Sequence, residues 1–329
     1  MKHFPMLKTG FSVAKVVKTF GCSAQTTETL EEFRYKVLHS VPLRADMNPI
    51  FTIKRRYALD EIEGLGYFKS VEWVESIDST NKQLAQSVRE RSKHLPALLV
   101  ADRQSSGVGR GSHQWWSPDG CLMFSMAIPM ESSEPSAANT STETMVSSAL
   151  LPLRVGCTVA ECLEHLSSAK PMVKWPNDVY LSGRKVCGVL IEVIPKQSLA
   201  PSVAIIGIGI NCAVDFKAAP VDVQANATSL HEWPRPGAID PASTEDVLVQ
   251  FVHHWISLDQ RQRENPRWLL EDWPERSLLD GQWVEVKHPA GLAKGLCLGI
   301  NEAGAILIQN ERLEVTEVLA GTIQSYRML

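Results

Sequence analysis

Residues 105–120 read SSGVGRGSHQWWSPDG, with glycines at 107, 109 and 111 around Arg110. Bare glycines expose consecutive backbone N–H groups, which form a nest for an anion or a carbonyl oxygen. An arginine among them adds a fixed positive charge suited to phosphate or carboxylate. The stretch lacks the Lys-Ser/Thr of a P-loop. Nor does it open a helix as a dinucleotide fingerprint does, because Pro118 and Gly120 send the chain on into the next strand. On these residues alone, a flexible hairpin with a solvated arginine is the simpler account.

A second stretch, KWPNDVYLSGRKVCGVLIE, runs from Lys174 to Glu192. Asn177 and Asp178 read as a polar turn between two apolar strands, a place where active-site groups often sit. Lys185 opens the second strand; burial of its stem would hold its ammonium group still, although a lysine at a strand start is ordinarily just solvated. The third stretch, IIGIGINC, brings Gly207, Gly209 and Asn211 to the end of a buried strand, where glycine weakens the ladder. Close approach of a ligand explains those glycines, and a bulge explains them as well.

Such groups need a scaffold. The segments VEWVESI, ALLVAD, CLMFSMAI, MVKWPND, KVCGVLIEVI and SVAIIGIGINC read as strands. LRVGCTVAECLEHL reads as a helix whose Val155, Val159, Cys162 and Leu166 share one face, and EDVLVQFVHHWISL as another. Together they predict a mixed domain of strands and helices beginning near Phe51. From about Ser277 the text becomes short strands (QWVEVKHP, LAKGLCLGI, AILIQN, RLEVTEV, TIQSY) broken by turns such as INEAG, which predicts a small β-barrel unit. Residues 1–48 read as an irregular extension whose one helix-like phrase is TTETLEEFRYKVLHSV. Residues 132–145 and 231–243 read as exposed loops. His253 and His254 are adjacent and form no HxxxH pair, so no metal site is expected there.

The whole sequence of 329 residues carries a net charge of -4 and is 44% hydrophobic, with no overall bias toward nucleic acid. Seven cysteines, none in a CxxC pair, read as core residues of a reducing compartment. No apolar run approaches the roughly 18 residues that span a bilayer. The expected location is the cytoplasm. The first acidic residue is Glu28, and Lys2, Lys8, Lys15 and Lys18 interrupt apolar residues, which makes a mitochondrial or plastid transit segment the alternative; the lack of arginine argues against it.

With ESIDSTN at residues 75–81, these stretches resemble the biotin protein ligases, also called holocarboxylase synthetases: four motifs stand in that family's order, from about Phe51 to Arg276, and INEAGAILIQ and AGTI continue the likeness. The resemblance implies an α+β fold: a mixed sheet with flanking helices of class II synthetase type over residues 49–276, and an SH3-like β unit over 277–329. It implies a ligase that joins biotin to AMP from Mg²⁺-ATP and passes biotin to one lysine of a carboxylase's biotin carboxyl carrier domain. It allows a homodimer.

Residue by residue, the resemblance implies that Ser79, Thr80 and Gln104 hydrogen-bond the ureido ring of biotin. Gly107, Gly109 and Arg110 would close over biotinyl-AMP, and Trp115 would stack near adenine, with a core tryptophan as the alternative. Lys185 would contact the biotin carboxylate and the α-phosphate, and Asp178 would lie near the incoming acceptor lysine. Gly188, Gly207, Gly209 and Asn211 would line the biotin and nucleotide sites, with Asn177 on the nucleotide side; no metal ligand is implied. The family's usual loop carries a further arginine where Val108 stands and basic residues at Gly111 and His113, so retention of the intermediate rests here on amides and Arg110. The family's DNA-binding winged helix is not expected, since residues 1–48 show no helix pair with a basic recognition helix. A lipoate or octanoate ligase of the same fold is the competing enzyme, and a catalytically dead binding module the competing non-enzyme.

Overall fold

The computed structural model describes residues 49–111, 113–130, 150–195, 201–237 and 241–327. The expected N-terminal extension and the 132–145 loop lie outside these residues. The chain divides into two units at Asp60/Glu61, inside helix α1 (Pro49–Gly64). Of the first, the described part is the opening of that helix, with an Arg56–Asp60 ion pair at 2.7 Å.

Seven strands form one sheet: β1 (Ser70–Ile77), β2 (Ala97–Gln104), β3 (Cys121–Pro129), β4 (Pro171–Lys174), β5 (Asp178–Leu181), β6 (Arg184–Ile194) and β7 (Val203–Asn211), in the order β1-β2-β3-β7-β6-β5-β4. β1 and β2 are parallel and every other pair is antiparallel, which is the expected mixed sheet. β2, β3 and β7 lie inside it; β3 and β7 are buried along nearly their whole length and β2 from Ala97 to Ala101. That is why they read as unbroken apolar runs rather than alternating ones.

Neighbouring residues of β3 show which helix covers which face. Ser125 bonds to Thr80 and Asn81 of α2 (Thr80–Arg89), whereas the Phe124 ring packs 5.0 Å from Phe251 of a later helix, Thr244–Glu264. Successive strand residues point to opposite faces, so these two helices cover opposite sides. Helix α3 (Leu151–Leu166) buries Val155, Val159 and Cys162 of its predicted face. It also buries Leu153, Cys157, Ala160 and Leu163, since it is packed by the sheet and by the long helix. After α4 (Val221–Asn226), that long helix, α5, starts on a capping box in which Ser243 and Asp246 bond reciprocally, and α6 (Trp268–Arg276) follows it.

The KWPND stretch corrects one expectation. Asp178 does not sit in the turn; it is the first residue of β5, with Val179–Leu181 behind it. The turn is Trp175–Asn177, and a second, tight turn at Ser182 (φ +46°) and Gly183 (φ +77°) returns the chain to β6. Positive φ at both central residues is the geometry that suits a two-residue hairpin.

The C-terminal segment forms a separate antiparallel sheet of β8 (Trp283–His288), β9 (Gly291–Ile300), β10 (Ile306–Gln309), β11 (Val315–Val318) and β12 (Thr322–Arg327), in the order β11-β10-β9-β8-β12. Among the described residues no ladder joins its outermost strands, β11 and β12. It is fastened to the first sheet at the KWPND turn: the indole N–H of Trp175, 2% exposed, donates to Gly304 O at 3.0 Å, and Leu278 N–H donates to Val173 O at 2.9 Å. Gly304 belongs to the INEAG turn, which Asn301 closes by accepting from the N–H groups of Ala303 and Ala305, each at 3.0 Å. No helix among the described residues is long and apolar enough to cross a membrane.

Candidate functional site

The glycine loop leaves β2 and folds back on itself. Trp115 N–H donates to Gly107 O at 3.0 Å and Gly109 N–H to His113 O at 2.8 Å. Val108 and Gln114 form a bridge, and Gly111 makes the turn at φ +68°. A Cβ on Gly107 would fall 2.7 Å from Trp115 O, so this strand of the hairpin needs its glycine. The loop is a hairpin, and its half-exposed arginine is tied to the protein rather than free. Arg110 Nη2 donates to Gly321 O at 2.5 Å and Thr322 Oγ1 at 3.0 Å, at the start of β12. Burial holds its pKa below the usual arginine value, against the opposing pull of Asp178.

Under the hairpin lies a floor made of two glycines, since Gly188 of β6 faces Gly209 of β7. The Trp115 indole rests on both: a Cβ on Gly209 would fall 2.5 Å from that ring, and one on Gly188 would fall 3.0 Å from it. Gly207 makes room for a different neighbour, because a Cβ there would run into the Asn81 amide. The β7 ladders keep register on both sides. Close approach, not a bulge, therefore accounts for both glycines, and what approaches here is the protein's own side chains. The Trp115 indole N–H points to Cys121 Sγ at 3.4 Å, a thiol pushed up to about 12 by burial and therefore not a ready nucleophile.

Two lysines face this floor from the KWPND side. Lys185 Nζ lies 2.6 Å from Asp178 Oδ1 and 5.6 Å from the Trp115 ring centre. The first contact is an ion pair without good hydrogen-bond angles, for that carboxylate oxygen is buried and has no well-aligned donor. Lys174 Nζ sits between the Tyr180 ring (5.1 Å) and the Tyr326 ring of β12 (4.8 Å) and donates to Tyr180 OH at 3.3 Å. Burial lowers the Lys174 pKa, Asp178 offsets this, and the Lys185 charge adds to it.

The opposite end of the pocket is polar and buried. Ser79, 1% exposed, stands at the N-cap of α2, but its hydroxyl makes no capping bond. Thr80 N–H donates to Gln104 Oε1 at 2.8 Å. Behind Thr80 stand Ser125 and Asn81, both buried.

One pocket thus gathers most of the residues singled out from sequence. Ser79, Thr80 and Gln104 line its polar end; Gly109, Arg110 and Trp115 line the hairpin side; Asn177, Lys185, Gly188, Gly207 and Gly209 line the floor and the far wall. Asn177 ties its turn to β6, donating to Val189 O at 2.7 Å. Three residues stay out of the lining. Gly107 serves the hairpin, Asp178 is reached through Lys185, and Asn211 is buried with its amide donating to Thr228 O at 3.2 Å. Val108 does line the pocket, an apolar side chain at the position where the family's usual loop has its arginine.

Sequence reasoning passed over Asn81, Ser125, Glu192 and the β12 contacts. Ser125 left a signal: a lone hydroxyl inside CLMFSMAI, a strand with every other residue apolar. A fully buried polar group in such a strand requires partners. The contacts of Gly321, Thr322 and Tyr326 left none, because they depend on how two sheets meet.

The pocket thus has a hydrogen-bonding head and a cationic far end. The structure matches that of a biotin protein ligase from Aquifex aeolicus in complex with biotin and ATP with a TM-score of 0.62 and 29% identity, covering 80% of this chain and 100% of that one. In sequence, the chain is 34% identical to the bifunctional ligase/repressor BirA of Escherichia coli over 167 residues, 50% of this chain and 46% of BirA. It is 25% identical to the biotin--[acetyl-CoA-carboxylase] ligase of Paracoccus denitrificans over 70% of this chain and 91% of that one. The match to Escherichia coli BirA thus spans less than half of that relative's length. The profile of the biotin/lipoate A/B protein ligase family matches residues 73–211.

Proposed function

We propose that this chain is a biotin protein ligase. A carboxylate oxygen of biotin attacks the α-phosphorus of ATP, the bond to pyrophosphate breaks, and biotinyl-5'-AMP forms. The amine of one lysine on a biotin carboxyl carrier domain, having lost a proton, then attacks the acyl carbon, and AMP leaves with the bonding electron pair. The observation that carries this reading is the polarity of this pocket: the buried Thr80 hydroxyl and the half-buried Gln104 amide at one end, and the cations Lys185 and Arg110 at the other. A ureido head suits the first, and a carboxylate being joined to a phosphate suits the second.

In this reading Lys185 holds the two anions together and offsets the charge that develops at phosphorus, while the hairpin amides and Arg110 retain the intermediate. Asp178 lies within reach of the same lysine and draws in the acceptor's ammonium group. The bound nucleotide takes the place that the Trp115 indole covers over Gly188 and Gly209. Mg²⁺ would enter with ATP and screen its phosphates. Residues 49–276 form the catalytic part and 277–329 the terminal β part of the same enzyme.

Pyrophosphate release with Mg²⁺-ATP and biotin, lipoate or octanoate in turn tests the proposal. Release with biotin alone is expected. Release with lipoate or octanoate in its place would make this an enzyme of the family's other branch, and release with none would leave a binding module.

A further inference from the structure

The polar end of the pocket contains a chain of hydrogen bonds whose direction follows from its partners. Asn81, 4% exposed, points its Nδ2 at two groups that only accept: the Glu192 carboxylate at 3.0 Å and Leu190 O at 3.5 Å. Reversing the amide would set its oxygen against both. Oδ1 therefore points the other way, to Ser125 Oγ at 2.6 Å.

An amide oxygen carries no proton, so Ser125 uses its one hydroxyl proton there. The contact from Ser125 to Thr80 Oγ1, 2.7 Å, must then use the proton of Thr80. Thr80 has none left for Gln104 Oε1, which stands 3.3 Å from its hydroxyl and already accepts from its backbone N–H at 2.8 Å. The relay runs from Thr80 to Ser125 to Asn81 to Glu192, and it leaves Thr80 Oγ1 at the pocket wall with lone pairs only.

We infer that Ser125, Asn81 and Glu192 are positioning residues that make Thr80 an obligate acceptor, so that the pocket selects an acid whose head presents an N–H, as a cyclic urea does, over an acyl chain without one. The inference deepens the biotin reading and rests on it. The selection is strong for a physical reason: a ligand without the donor buries an acceptor that water has left and nothing replaces. It also separates the two branches of the family by a group behind the pocket wall, since Ser125 is 0% exposed.

Calorimetric titration of the full chain with biotin and with its two mono-N-methyl ureido analogues tests the relay. Ser125→Ala frees the Thr80 proton to turn elsewhere. Biotin affinity should fall about tenfold, equivalent to ~1.4 kcal/mol. Affinity for the analogue methylated at the nitrogen facing Thr80 should fall less than about threefold, because that ligand has no proton to lose. Pyrophosphate release at saturating biotin should keep its kcat, so that the change appears in KM.

Should Ser125→Ala fail to fold, Glu192→Ala serves, for that side chain is exposed. It should show the same pattern at roughly threefold, with Glu192→Gln, which keeps an acceptor oxygen, restoring affinity. Equal losses for biotin and both analogues, or unchanged biotin affinity in the variant measured, would overturn the relay while leaving the ligase reading intact. No biotin binding by the unaltered chain would overturn both.

Discussion

The two ends of the pocket are built on opposite plans. At the polar end Thr80, Ser125 and Asn81 already have their partners: Thr80 with Gln104 and Ser125, Ser125 with Asn81, Asn81 with Glu192. At the cationic end the partners are substitutes from the protein itself: Lys185 holds Asp178, Arg110 holds Gly321 O and Thr322, and Trp115 covers the glycine floor. The first end is fixed before a ligand arrives. The second must exchange one set of contacts for another, which costs binding energy but allows groups to be aimed at charge that exists only during reaction.

The largest break in this comparison comes from Lys185→Ala. Removing an electrostatic contact from a closed site costs on the order of 10²- to 10³-fold in rate. Biotin-dependent pyrophosphate release should fall by that much, while biotin binding, set mainly at the other end, should fall less, through the one carboxylate contact that Lys185 makes. A parallel loss of both would mean the two ends are not separable.

Two glycines on one strand sharpen the contrast with a smaller effect. Gly207→Ala drives a methyl into the Asn81 amide, which the relay holds in place; Gly209→Ala drives one into Trp115, carried by a hairpin. Neither glycine has a positive φ, so alanine fits the backbone at both. The first change should cost about 1–3 kcal/mol in a denaturant titration, the range for overpacking a site that cannot give way. In the second, Trp115 moves, and the gain of about 0.4–1 kcal/mol from a stiffer unfolded chain offsets much of the cost. Equal destabilisation would show the hairpin to be as rigid as the relay.

How much of this was legible in the sequence also divides by region. The strands β2, β3, β6 and β7 were readable because burial on both faces leaves an apolar run, and the glycines of the floor stood out against it. β5 was missed: DVYL is four residues long and was absorbed into the turn before it, which misplaced Asp178. Helix α2 was missed because the apolar residues that TNKQLAQSVR turns to the core are only Leu84, Ala85 and Val88, the rest of its buried face being the polar Thr80, Asn81 and Ser87. The candidate site was legible as residue types, since GVGRG, KWPND and DSTN state their chemistry locally. Its partners were not: Arg110 with Gly321 and Lys174 with Tyr326 join positions more than a hundred residues apart, and nothing local in either segment encodes the pairing.

Asp178→Asn gives the smallest effect and the finest distinction, because it acts within the end that rearranges. In the free chain Asp178 is the partner of Lys185, and its charge favours the half-buried cations Arg110 and Lys174. Asparagine keeps the size but releases Lys185, so adenylation should stay within about threefold of the unaltered rate or rise. Transfer is different, for the acceptor arrives as an ammonium group that must lose its proton before it attacks, and the negative charge that draws it in is gone. Single-turnover transfer from preformed biotinyl-AMP should slow about tenfold, ~1.4 kcal/mol at the barrier. If Asp178 merely braces β5 against β6, both half-reactions and the thermal midpoint fall together. Equal losses in the two steps would then assign it to the scaffold, and the exchange of contacts at this end would involve Arg110, Lys185 and Trp115 without it.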